Sequence, residues 1–95
     1  MHRSTILADI IAERKRQDRL HPRWHGDAHG LAVLAEEFGE VAKAHYELTE
    51  IQHEETRQTL TQEEWHRLYT VRSADLREEL VQVAAVCVRW LENMP

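Results

Sequence analysis

Apolar positions along this chain recur at the three- and four-residue spacing of an α-helix, and no stretch alternates as a strand does. Ile6, Leu7, Ile10 and Ile11, followed by Arg14 and Gln17, predict a first helix over about Ser4 to Arg19, with Pro22 and Gly26 breaking it. Leu31, Leu34, Phe38, Val41, His45 and Leu48 form one stripe, which predicts a second helix with a single buried face. Asp27 is its expected N-cap, and the pattern runs to about Glu55. Gly39 inside that helix costs roughly 1 kcal/mol against Ala, so close approach of another helix or a ligand is expected there. Thr61-Gln62-Glu63-Glu64 reads as a capping box that opens a short third helix, ending near Leu68 or Val71. Ser73 is the expected cap of a fourth helix. From Leu80 to Leu91 that helix is apolar almost all round, with Gln82 and Arg89 as exceptions, so it is expected to be covered on every side.

The fold class this predicts is all-α, a compact bundle of about four helices in one domain spanning residues 1–95. A chain of this size buries a modest fraction of its surface. Three partner helices hardly cover the apolar fourth, so the bundle is expected to be completed by homo-oligomerisation, as a dimer or tetramer. The net charge of −5, with 31% charged residues, argues against a nucleic-acid polymer as partner, which calls for a basic face. It leaves nucleotides open, since an acidic site binds them through bridging Mg²⁺. The single cysteine, Cys87, excludes an intrachain disulfide framework and fits a reducing compartment. With no signal-like segment and no run long enough to span a bilayer, the expectation is a soluble cytoplasmic domain without a membrane partner.

Chemistry concentrates in two acidic clusters. Glu37 and Glu40 are neighbours on the second helix, and like charges so placed repel. Asp75, Glu78 and Glu79 open the fourth helix, where Glu79 and Gln82 share a strip. Two such helices side by side would form an oxygen cage of Glu37, Glu40 and Glu79, with Gln82 as a neutral donor, suited to a hard cation such as Mg²⁺. The plainer reading is a pair of solvated acidic faces, with Asp75 and Glu78 favoured by the helix dipole.

Ala12-Glu13-Arg14 with Gln17-Asp18, then Glu36-Glu37-Phe38-Gly39-Glu40, then Glu79-Leu80-Val81-Gln82, resemble the MazG-like, all-α nucleoside triphosphate pyrophosphohydrolases. The resemblance covers roughly residues 8–48 and 73–92. It implies a helical bundle, a dimer or tetramer, and Mg²⁺-dependent cleavage of an NTP or dNTP to the monophosphate and pyrophosphate, with Mn²⁺ as an alternative metal. It assigns Glu37, Glu40 and Glu79 as metal ligands, with Glu36 as the candidate general base. Gln82 stands where the family has Asp, and residues 41–78 make a longer connection than is usual there. One carboxylate fewer weakens Mg²⁺ binding, because affinity follows ligand charge. The alternative function is therefore a weak or inactive module of the same fold, acting in nucleotide binding or protein–protein interaction.

The remaining candidates would serve the substrate. Trp24, in the loop before the acidic helix, is a candidate to stack on a base or else a loop anchor. Arg14, by its Ala-Glu-Arg context, and Arg89, a lone charge on an apolar helix, are phosphate candidates, as is Lys43 three residues after Glu40. For Arg89 an ion pair across the bundle is the stronger structural reading. His21, His25 and His29 have the spacing of helical zinc ligands, but Pro22 and Gly26 interrupt the helix, which favours a polar loop. His45, on the stripe, is expected to be a satisfied core histidine, and Cys87 a small buried side chain.

Overall fold

A computed structural model describes residues 1–95 as four helices: α1 (Arg3–Leu20), α2 (Asp27–Gln52), α3 (Glu54–Gln58) and α4 (Gln62–Glu92). There are no strands, and no helix is long and apolar enough to cross a membrane. The long helix α4 carries the bundle, with α2 and α1 packed on it. The molecule is elongated, 53 × 28 × 20 Å, because α2 and α4 lie along each other for most of their length.

Helix ends depart from expectation in three places. Gly26, not Asp27, is the N-cap of α2; its φ of 92° is a backbone state glycine enters freely, and Asp27 is already helical. The Asp27 carboxylate instead accepts a hydrogen bond from Trp90 Nε1 at 2.9 Å, tying the start of α2 to the end of α4. Helix α2 stops at Gln52, where His53 turns extended (ψ 134°), and one further short helix, α3, follows. The expected third and fourth helices are one continuous helix, α4. Thr61 does cap it, its hydroxyl accepting from the Glu64 N–H at 3.1 Å. Ser73 caps nothing: it lies inside α4 with its Oγ buried and unpartnered. No glycine or proline lies between Thr61 and Asn93, so nothing in the backbone breaks α4 at Ser73.

The buried face of α2 is also displaced from the apolar stripe. Gly30, Leu34, Glu37, Val41, Ala44, Leu48 and Ile51 face inward, repeating at four and three, the spacing of a coiled-coil seam. The expected stripe shares Leu34, Val41 and Leu48 but errs by one position at alternate rungs. Leu31 is 57% exposed, Phe38 is 64% exposed, and His45 is exposed rather than a core histidine. Two of the displaced rungs are small residues: Gly30 is covered by the Trp24 ring, and Ala44 is buried in the seam. Gly39, expected at a close contact, faces open space, with nothing within 4 Å of where a Cβ would stand. On α4, Ala85 and Val86 are buried, whereas Leu80 and Leu91 are more than half exposed, so one chain leaves that helix uncovered on one side.

Candidate functional site: an acidic seam beside a polar cleft

Because Glu37 occupies a seam position of α2, its half-buried carboxylate meets α4. Its counterparts there are Glu79 and Gln82, which share a strip as the sequence spacing required. Gln82 bridges them. With its amide nitrogen toward the carboxylates, the orientation that satisfies both hydrogen-bonding ends, Nε2 donates to Glu37 Oε2 at 3.0 Å and to Glu79 Oε2 at 3.3 Å.

The electrostatics follow from this placement. Glu37 titrates above the ordinary carboxylate range, first because burial desolvates its charged form, then because Glu79, Glu36, Glu40 and Glu13 repel it. Glu79 is raised too, again first by desolvation, then by Glu40, Glu78 and Asp75, with Lys43 partly offsetting them. For coupled groups of this kind the first proton belongs to the cluster rather than to one residue. The negative charge here is therefore under-compensated by the protein itself. The donors are all oxygen, the class that a hard cation accepts, and a divalent cation would relieve the repulsion. The donor chemistry fits Mg²⁺ or Mn²⁺. As the side chains stand, no three carboxylate, imidazole or thiol groups converge tightly enough to chelate one ion. Glu40, exposed on α2, is the ligand that would have to turn inward.

The acidic seam opens beside a cleft of about 460 Å³, within the size range of small-molecule sites. Helices α1, α2 and α4 and the loop His21–Gly26 form its walls. One side is acidic, with Glu13, Glu36 and Glu37 beside Gln82. The other presents Arg16, Arg23 and Arg89, with His21 and His25 from the loop and His29 from the first turn of α2.

Of the remaining sequence candidates, Arg14 and Lys43 lie outside the cleft, whereas Trp24 and Arg89 line it. Arg14 lies outside the cleft and is buried; it donates to Glu92 at 2.6 Å and to Asp18 at 3.0 Å, which fastens α1 to the end of α4. Lys43 is exposed and outside the cleft, felt only through its charge on Glu79. Arg89 makes no ion pair with a carboxylate: it donates to the His21 carbonyl and lies 5.9 Å from the Trp24 ring centre. Trp24 packs against Gly30, 6.2 Å from the Trp90 ring, as a loop anchor would, and it also lines the cleft, where a base could stack on it. His25 and His29 meet edge to face at 5.1 Å, outside any metal-holding group of three. Sequence reasoning missed Arg16 and Arg23 as cleft residues. For Arg23 the signal was its place beside Pro22 in the loop; Arg16, inside α1, carried none.

Comparison of the chain with family models, curated proteins and solved structures returns no match.

Proposed function

We propose that this chain is a Mg²⁺-dependent nucleoside triphosphate pyrophosphohydrolase-like protein, converting an NTP or dNTP to the monophosphate and pyrophosphate in the cleft between α1, α2 and α4. The observation that carries this reading is the meeting of Glu37 with Glu79 and Gln82, of which Glu37 and Gln82 line a nucleotide-sized cleft and Glu79 and Glu40 lie outside its lining. The resemblance of Glu36-Glu37-Phe38-Gly39-Glu40 to the MazG-like metal motif agrees with it. Glu37, Glu79 and Glu40 would hold the metal, with the Gln82 amide turned to offer its oxygen. A bound divalent ion neutralises phosphate charge and acidifies a coordinated water. Glu36 lines the same cleft one residue from Glu37, and is the group we assign to orient or deprotonate the attacking water. The apolar face of Leu31 and Phe38 on α2, and of Leu80 and Leu91 on α4, supports assembly as a homodimer or homotetramer, since exposed apolar rows of this extent mark interfaces. Pyrophosphate release measured over canonical and modified dNTPs, with Mg²⁺ and with Mn²⁺, tests the reading. Turnover that is lost in Glu37→Gln supports it, and no turnover with any substrate refutes catalysis.

A second reading has its own observation. Gln82 already links Glu37 and Glu79 by hydrogen bonds, which partly satisfies the carboxylates with no metal. On that reading the chain is an inactive module of the same architecture, binding nucleotide or a partner protein. Metal binding without turnover would favour it.

A further inference from the structure

The loop side of the cleft is held firmly, yet its donors are left free. Trp24 is wedged against Gly30 and near Trp90, and Arg89 donates to the His21 carbonyl, so the loop is fixed at two points. Arg23 nevertheless makes no ion pair and no hydrogen bond, and the side chains of His21, His25 and His29 make none either. All four line the same cleft. Five of the other nine arginines, Arg14, Arg16, Arg67, Arg72 and Arg77, pair with carboxylates, and Arg57 lies over the Trp65 ring. Four unpaired, solvent-exposed donor side chains lining one cleft of a protein with net charge −5 offer a surface for an anion.

We infer that the Arg23, His21, His25 and His29 wall binds a diphosphate unit directly, with no metal bridging it to the protein. The guanidinium fork of Arg23 matches two oxygens of one phosphate, and imidazole N–H groups serve the rest. The charged groups facing this wall are Glu13, already paired with Arg16 at 2.8 Å from α1, Glu36 and Glu37 from α2, and the Arg89 guanidinium from α4. The two carboxylates of α2 repel an anion, which confines it to the loop side. In taking that unit as the phosphate chain of a nucleotide, the inference rests on the proposed function, but the anion site itself needs no metal.

Calorimetric titration of inorganic pyrophosphate into the protein in EDTA therefore separates the two ideas. Saturable binding is expected, weakened about tenfold in Arg23→Gln, the loss of one charge-assisted fork. His25→Gln should weaken it less, and Glu36→Gln should strengthen it by removing a facing charge. Circular dichroism matching the unaltered chain excludes misfolding at these exposed positions. Competition by dNTPs assigns the site to the nucleotide's phosphate chain, and its absence assigns the site to free diphosphate; both support the inference. Binding only when Mg²⁺ is present, or binding unchanged in Arg23→Gln, overturns it. Loss of metal binding by the acidic seam would leave this result untouched, so the proposed function and the anion site fail separately.

Discussion

Replacing Glu37 by Gln should make the metal-free protein more stable at neutral pH, an uncommon result for a half-buried polar position. Both Glu37 Oε2 and Glu79 Oε2 accept from one nitrogen, at 3.0 and 3.3 Å, so they lie within about 6 Å of each other, where two unit charges repel by ~1–3 kcal/mol at an effective dielectric of 80 down to 20. Both groups keep substantial contact with solvent, which screens the repulsion, so roughly 0.5–1 kcal/mol should survive, including the i,i+3 term with Glu40. The amide keeps the volume and still accepts from Gln82. For a domain of this size, that gain raises the melting temperature by roughly 2–6 °C. The sign of the pH dependence is fixed by the raised carboxyls. An acid whose folded pKa exceeds its unfolded value, here ordinarily 4.5, binds its proton more tightly when folded. Stability from that proton is fully present below the unfolded pKa and is lost as pH rises through the folded one. Thermal unfolding of the two proteins in EDTA at pH 7 and pH 4 therefore should show the gain at pH 7 and its disappearance at pH 4. No gain at pH 7, or an equal gain at both, refutes the claim that like charges crowd this seam.

Gln82→Asp should destabilise the metal-free protein, because it removes the donor to Glu37 and Glu79 and adds a third carboxylate, and it should enlarge the stabilisation by Mg²⁺ in a thermal shift; a loss that Mg²⁺ leaves unrescued would contradict the metal site. Gly30→Ala puts a Cβ within 2.5 Å of Trp24 Cζ2, an overlap that outweighs the helix propensity gained, so a net loss of about 1 kcal/mol and a shift in tryptophan emission are expected. Gly39→Ala meets open space, and should stabilise by ~1 kcal/mol in denaturant unfolding; a loss instead would show that the face is covered in solution. For the homo-oligomer, sedimentation should show a species larger than one chain at micromolar concentration, dispersed by Phe38→Glu with the helical content kept, whereas a folded monomer of the unaltered chain would refute it.

The helices themselves were legible because their periodicity is strong and their breaks carry Pro22, Gly26 and Thr61. The apolar stripe falls one residue off the buried face of α2 at alternate rungs, because the largest apolar side chains there are not the buried ones. In one chain the seam uses Gly30, Glu37 and Ala44, while Leu31 and Phe38 face outward. Bulk and burial diverge here, since Gly30 lies under the Trp24 ring and Ala44 is buried while Phe38 is 64% exposed. The break expected at Ser73 reflected its cap propensity, which the unbroken helical run around it overrode. Among candidate site residues, helical spacing brought Glu79 and Gln82 together correctly, and Glu37 joined them across the seam. Spacing along one helix cannot register Arg14 with Glu92, or the loop arginine Arg23 with the cleft, since both depend on how separate elements pack.

The most direct test of the central claim is calorimetric titration of Mg²⁺ and Mn²⁺ into the unaltered chain, Glu37→Gln and Glu79→Gln. If the seam between α2 and α4 holds the metal, the unaltered chain should bind saturably and each variant should bind about tenfold more weakly or not at all, since each removes one charged ligand. Equal affinity in all three proteins, or no binding by the unaltered chain, would contradict it.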